Sequence, residues 1–289
     1  MVNEVRALGF EYAELGHGTR VSLLDGVRQA VAAGEIKISS LHNFCPLPVG
    51  VMGSAPDYYL PSSRDETERQ CAVRHTLRTI DCAAILGAKF VVLHLGHLPM
   101  RNYTVRLLGL HVDGRDDTPK FQRWRNKALA VREKKCPKHL DQVFRTLEAV
   151  LPRAKEVGVT LGMETRLGIE EIPSEEEADQ ILTRFGTDAI QYWHDIGHAA
   201  VKELLGLMNL EAVLHRFRGR TAGMHLQDFA PPAADHLPPG RGTFDFGRLA
   251  PFVTEDMVLA WEIHPEWKTE QIVEGVKRVH ELLRKSVTV

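Results

Sequence analysis

Seven times in this chain a short apolar run stops on a residue able to bind a metal. The runs are FEYAE ending at Glu14, IKISSLH at His42, AKFVVLH at His94, VTLGME at Glu164, AIQYWHD at Asp195, AGMH at His225 and LAWE at Glu262. The segments between them have helical character. Buried strands alternating with helices build a parallel sheet. In a closed (β/α) barrel the C-terminal ends of all strands converge on one face, where active sites sit. A carboxylate or imidazole at each strand end is therefore expected in one cluster.

The chain has 289 residues. That suits one (β/α) barrel of about 250 residues. The expectation is a single α/β domain over residues 1–289. Helices are predicted at 21–33, 65–86, 138–156, 199–217 and 269–285, with a short one near 246–253. SEEEADQILTRF supplies a serine cap and three acids, the signature of another helix start. Strands are predicted at 36–42, 89–94, 159–164, 189–195, 221–226 and 257–263, besides the one reaching Glu14. That gives seven strands, with residues 1–9 reading as the end of a helix. The first strand of the barrel is missing or atypical, and an open barrel exposes edges that invite pairing with another chain. A homo-oligomer is expected on that ground.

The 36 basic and 38 acidic side chains balance, which gives no global pull toward nucleic acid or an anionic surface. No run of about 18 apolar residues is present, the N-terminus lacks a signal-peptide stretch, and the four cysteines lack CxxC spacing. A reduced, cytoplasmic protein without a membrane partner is the simplest reading.

Glu164, Asp195, His225 and Glu262 make a hard, mixed oxygen and nitrogen donor set, each about one strand–helix unit from the next. Such a set suits Mn²⁺, Mg²⁺, Co²⁺ or Zn²⁺. Asp195-Ile-Gly-His198 places a second group one turn past its strand. In His225-Leu-Gln-Asp228 the aspartate is placed to support a ligating histidine. His236-Leu-Pro-Pro-Gly240-Arg-Gly242 is a rigid loop able to bring His236 over the site.

The pieces GFEYAEL, LHLG, MET, DIGHA, HLQDF, HLPPGRGTFDF and WEIH resemble the xylose isomerase-like TIM-barrel superfamily, which holds sugar isomerases and epimerases and the type IV AP endonucleases. The ketose 3-epimerase branch implies one divalent metal on Glu164, Asp195, His225 and Glu262. There the two glutamates pass a proton on and off the carbon beside the carbonyl. His198, His94, His42 and Arg166 are the implied substrate-binding side chains, and the substrate is a sugar or sugar phosphate. Epimerases place an arginine after the strand-7 histidine; here the stretch is FAPPAAD, so either Arg166 or Arg241 substitutes or the substrate differs. The AP endonuclease branch implies a multinuclear zinc site and phosphodiester cleavage, with His42, His94, His198 and His236 as additional ligands. Its ninth ligand, an aspartate, falls on Ala234, with Asp235 one residue off register. A catalytically idle barrel is the third reading.

The stretch 95–137 reads as an irregular basic insertion. Residues 101–138 carry eleven Lys and Arg against four acids, with Trp124 among them. Its expected roles are a solvated extension or dimer contact, a lid over an anionic sugar, or a nucleic-acid contact.

Overall fold

The computed structural model describes residues 2–53 and 56–287. Along the chain run α1 (Val2–Ala7), β1 (Tyr12–Leu15), α2 (Val21–Ala32), β2 (Lys37–His42), α3 (Glu66–Leu86), β3 (Phe90–Leu93), α4 (Tyr103–Val112), α5 (Pro119–Val157), β4 (Thr160–Glu164) and α6 (Glu175–Phe185). There follow β5 (Ile190–Asp195), α7 (Ile196–Leu204), α8 (Leu210–Arg216), β6 (Thr221–Leu226), β7 (Asp228–Ala230), β8 (Ala234–Leu237), a single 3₁₀ turn at Phe246–Leu249, β9 (Val258–Trp261) and α9 (Thr269–Val287).

Seven strands form one sheet in the order β1-β2-β3-β4-β5-β6-β9, and the pairs β1/β2, β2/β3, β3/β4 and β6/β9 are parallel. Among the described residues β1 and β9 are its end strands, in line with the seven counted from sequence. β3 and β4 bury every residue after the first. That continuous burial is expected of parallel strands covered on both faces. Local chemistry sets the helix starts. The Asp65 carboxylate accepts the Thr67 and Glu68 amides ahead of α3, and Ser174 and Glu177 form a reciprocal capping box at α6.

By its internal contacts the chain divides into two compact units. The first comprises Met1–Leu98, Lys135–Glu164 and Ile172–Tyr192; the second comprises Pro99–Lys134, Thr165–Glu171 and Trp193–Val289. The first unit carries β1 to β4, with Leu41, Val91, Val92, Leu161 and Met163 wholly buried on them. The second has its own apolar clusters. One gathers Ile196, Met224, Leu226, Leu249 and Leu283; another gathers Tyr103, Leu107, Phe121, Ala128 and Val201.

Three expectations are corrected. The 95–137 stretch is largely helical: it contains α4, and α5 begins at Pro119 and runs through Pro137, where a helix start was expected at 138. A proline removes one amide and crowds the preceding turn. The flanking Ala, Leu, Lys, Arg and Glu residues are strong helix formers and carry the helix past it. The helix expected over 199–217 is two helices, α7 and α8, and begins three residues earlier, because Asp195 caps α7 by accepting the His198 amide. The loop after β6 contains the antiparallel hairpin β7/β8.

Candidate metal centre

In the first unit, β2, β3 and β4 bring His42, His94 and Glu164 together. His42 Nε2 lies 3.1 Å and His94 Nε2 2.9 Å from the same oxygen, Glu164 Oε2. All three side chains are buried. The far nitrogens are also engaged. His42 Nδ1 is 3.1 Å from the Asn43 carbonyl oxygen, and His94 Nδ1 is 3.1 Å from Asp57 Oδ2. Carbonyl and carboxylate oxygens only accept, so His42 Nδ1 carries its proton and points the Nε2 lone pair at Glu164. Neutral His94 has one proton for two carboxylates. With both rings neutral, the His42 Nε2 lone pair faces the Glu164 carboxylate oxygen. A divalent cation among Nε2, Nε2 and Oε2 removes that conflict, and the outward bonds fix ring orientation as they do for metal-bound histidines. The donor set fits a cation.

In the second unit, Asp195, His225 and Glu262 present one ligand atom each within 4.8 Å of one another. His225 Nδ1 is 3.5 Å from Asp195 Oδ2 and 3.1 Å from Glu262 Oε2. Asp195 and His225 are fully buried, whereas the Glu262 side chain is 30% exposed. The backbone sets this spacing: His225 pairs with Ala260 in the β6/β9 register, and the Glu262 amide donates to the Leu226 carbonyl at 3.0 Å. Two carboxylates flanking an imidazole also suit a cation.

The other predicted residues fall as follows. His198 donates Nδ1–H to the Thr165 carbonyl at 2.9 Å, and its own amide is held by Asp195 Oδ1 at 2.7 Å. His236 places Nε2 3.6 Å from Glu262 Oε1 and Nδ1 3.0 Å from Asp235 Oδ1. Burial alone would lower the His236 pKa, but the bonds from Asp235 and Glu262 prevail and carry it up to about 10. Arg166 is buried, with its guanidinium bonded to Glu171. Trp124 packs at the edge of the second unit's core, with the Arg106 guanidinium 3.8 Å over its ring and Lys127 at 5.2 Å. Arg132, also in the basic stretch, is buried and donates to the Ile169 and Glu171 carbonyls.

Asp228 has a different job from the one expected. Its carboxylate accepts the amides of Gly240, Gly242 and Phe244 at 2.7, 2.9 and 3.0 Å. It therefore shapes the glycine loop, and a Cβ on Gly242 would sit 2.4 Å from it. The residue that ties Asp195 to the hairpin is Gln227. Its Nε2–H donates to Asp195 Oδ2 at 2.8 Å, and its Oε1 accepts the His236 amide. Alternation along the strand puts Gln227 on the same face as His225, which was the available signal. His264, the last residue of WEIH, lies near a strand end and reads as merely supporting or structural, and Asp57 had no signal, because a loop brings it in.

Residues 2–286 match a family described as the xylose isomerase-like TIM barrel. No curated protein sequence matches the chain. Among solved structures it is similar to the 3-keto-D-glucoside 4-epimerase YcjR from E. coli, at 15% identity over 97% of this chain and 92% of that one, with a TM-score of 0.66. It is also similar to an L-ribulose 3-epimerase, at 14% identity over 99% and 88%, TM-score 0.68. A third is the TTHB071 protein from Thermus thermophilus, soaked with ZnCl2, at 20% identity over 98% and 92%, TM-score 0.61. At such identities the likeness establishes the fold.

Proposed function

Because the chain belongs to the xylose isomerase-like TIM-barrel family, we propose that it is a divalent-metal-dependent isomerase or epimerase of a sugar or sugar derivative. The observation that carries this reading is the convergence of Asp195, His225 and Glu262 at the ends of β5, β6 and β9. In the proposal Glu164 is the fourth ligand. It ends β4, and the next residue, Thr165, donates its amide to the Trp193 carbonyl at 2.9 Å, two residues before Asp195.

A cation held there supplies charge stabilisation to the enediolate oxyanion of the substrate. The chain's own groups do the rest. Glu164 and Glu262 are the proton-transfer pair, one taking the proton from the carbon beside the carbonyl and the other returning one. Glu262 is the more solvent-accessible of the two, which suits it to exchange its proton with water. His42, His94 and His198 are assigned to the substrate hydroxyls. Arg166, held by Glu171, is the candidate for an anionic or hydroxyl-bearing end. The sugar epimerases among the structural neighbours agree with this class.

The test is Glu262→Gln in heavy water with a panel of ketoses. The parent exchanges the proton next to the carbonyl for deuterium; the variant keeps part of its metal affinity and loses turnover. A variant that still turns over sinks the assigned role of Glu262. A parent that exchanges no proton in any sugar, yet cleaves a phosphodiester, transfers the case to the second reading. That reading, a multinuclear phosphodiesterase, is favoured by one observation: Glu164 Oε2 already faces His42 and His94 in a second donor cluster.

A further inference from the structure

The side chains of Asp235, His236 and His264 form a third cluster, within the second unit, whose ligand atoms all lie within 4.8 Å of one another. His264 stands outside the ligand sets considered so far, and Asp235 entered them only as an aspartate one residue off register. Asp235 and His236 are adjacent on β8, so an ordinary extended strand would send their side chains to opposite faces. His236 does not keep that geometry. Its φ is +54°, the one left-handed non-glycine residue among those described. This conformation is unfavourable for a residue with a Cβ and persists only where surrounding structure fixes it. Two bonds do so here. The His236 amide donates to Gln227, and the His236 carbonyl accepts the His264 amide at 3.0 Å.

The second of these bonds ties the loop after β9 to the hairpin and sets the two imidazoles beside each other. Their centroids are 4.9 Å apart with planes at 36°. Asp235 Oδ1 lies 3.0 Å from His236 Nδ1. Two imidazoles and one carboxylate, with His264 exposed to solvent, make a borderline N,N,O donor set with an open side. That is the pattern of a zinc ion which keeps a position for water or substrate.

We propose that Asp235, His236 and His264 hold a second divalent ion of the zinc class, with an open coordination position facing solvent. The His236 ring also places Nε2 3.6 Å from Glu262 Oε1, an acid of the centre under Proposed function. The new site does not depend on the isomerase reading, since Asp235 and His264 take no part in it.

The experiment compares the parent, His264→Gln, Asp235→Asn and His225→Gln. Each is stripped with a chelator, reloaded with Zn²⁺ and counted by elemental analysis. Co²⁺ loading, read by its ligand-field absorption, reports the coordination. His264 is exposed, so its variant is expected to fold, and thermal melting checks that. The expected result is that His264→Gln and Asp235→Asn each lose the same single ion and the same Co²⁺ band. His225→Gln loses a different one and leaves that band in place. Equal zinc content and identical Co²⁺ spectra in the parent and His264→Gln overturn the proposal and leave the His225 centre standing. Loss in His225→Gln alone does the same. Loss in the two hairpin-side variants with none in His225→Gln supports the new site while removing the centre assigned above.

Discussion

The buried cluster of the first unit and the half-exposed cluster of the second use similar donors on very different supports. His42 and His94 end neighbouring strands and are buried, and their far nitrogens are already occupied by Asn43 and Asp57. Their ring orientation is imposed by the sheet and one outer carboxylate. Asp235, His236 and His264 sit on a short hairpin and a loop, and their meeting depends on one strained backbone and two amide bonds. Ligands on regular strands can be read from residue spacing. Ligands on a hairpin require that the fold hold an unfavourable conformation. The first arrangement is expected to be sensitive to hydrogen-bond partners, and the second to backbone position.

The largest effect that sharpens this contrast comes from Asp57→Asn. The substitution leaves the shape of the loop but weakens the acceptor at His94 Nδ1. In the second, multinuclear reading, metal affinity at the buried cluster should fall about 10–100-fold, the usual result of losing an outer partner. Affinity at the hairpin cluster should stay as it was. Calorimetric titration with Zn²⁺ reads both, and equal losses at the two would break the distinction.

Next comes Gly197→Ala. A Cβ at Gly197 would lie 2.7 Å from the Gln227 side chain, the group that holds Asp195 and the His236 amide. Overpacking of this kind costs about 1–3 kcal/mol. The melting temperature should drop, and the hairpin cluster should lose its ion more readily than in the parent. An unchanged melting temperature would show that Gln227 moves aside freely and is no brace.

The smallest effect is a pH dependence confined to the first unit. Burial, followed by Arg78 and Arg74, lowers the pKa of His75 from 6.5; its ring stacks on Tyr59 at 5.3 Å. Below pH 6.5 the unfolded chain takes up this proton before the folded one does. Stability therefore rises with pH through that window and falls as the solution is acidified. His75→Gln should flatten this part of the curve in denaturant titrations at several pH values. A curve of unaltered slope would remove His75 as its source.

Much of this was legible in the sequence for a plain reason. Parallel strands are short, apolar and spaced by helices, and their last residues share one side of the sheet. Glu164, Asp195, His225 and Glu262 could be picked out because each ends such a run. What escaped the sequence lies where a tertiary contact overrides a local signal. Pro137 reads as a helix boundary, yet α5 continues through it. Asp228 reads as support for His225, yet its carboxylate is saturated by the amides of the 240–244 loop. The approach of His264 to His236 rests on a backbone bond between loop and hairpin, for which no spacing rule exists.

The central claim is that Asp195, His225 and Glu262 share a divalent cation. Elemental analysis of the reloaded parent against His225→Gln measures it most directly. The account predicts a bound Mn²⁺, Zn²⁺ or related ion in the parent that is missing from the variant, while both remain folded. A folded variant carrying as much metal as the parent, or a folded parent that retains none, contradicts it.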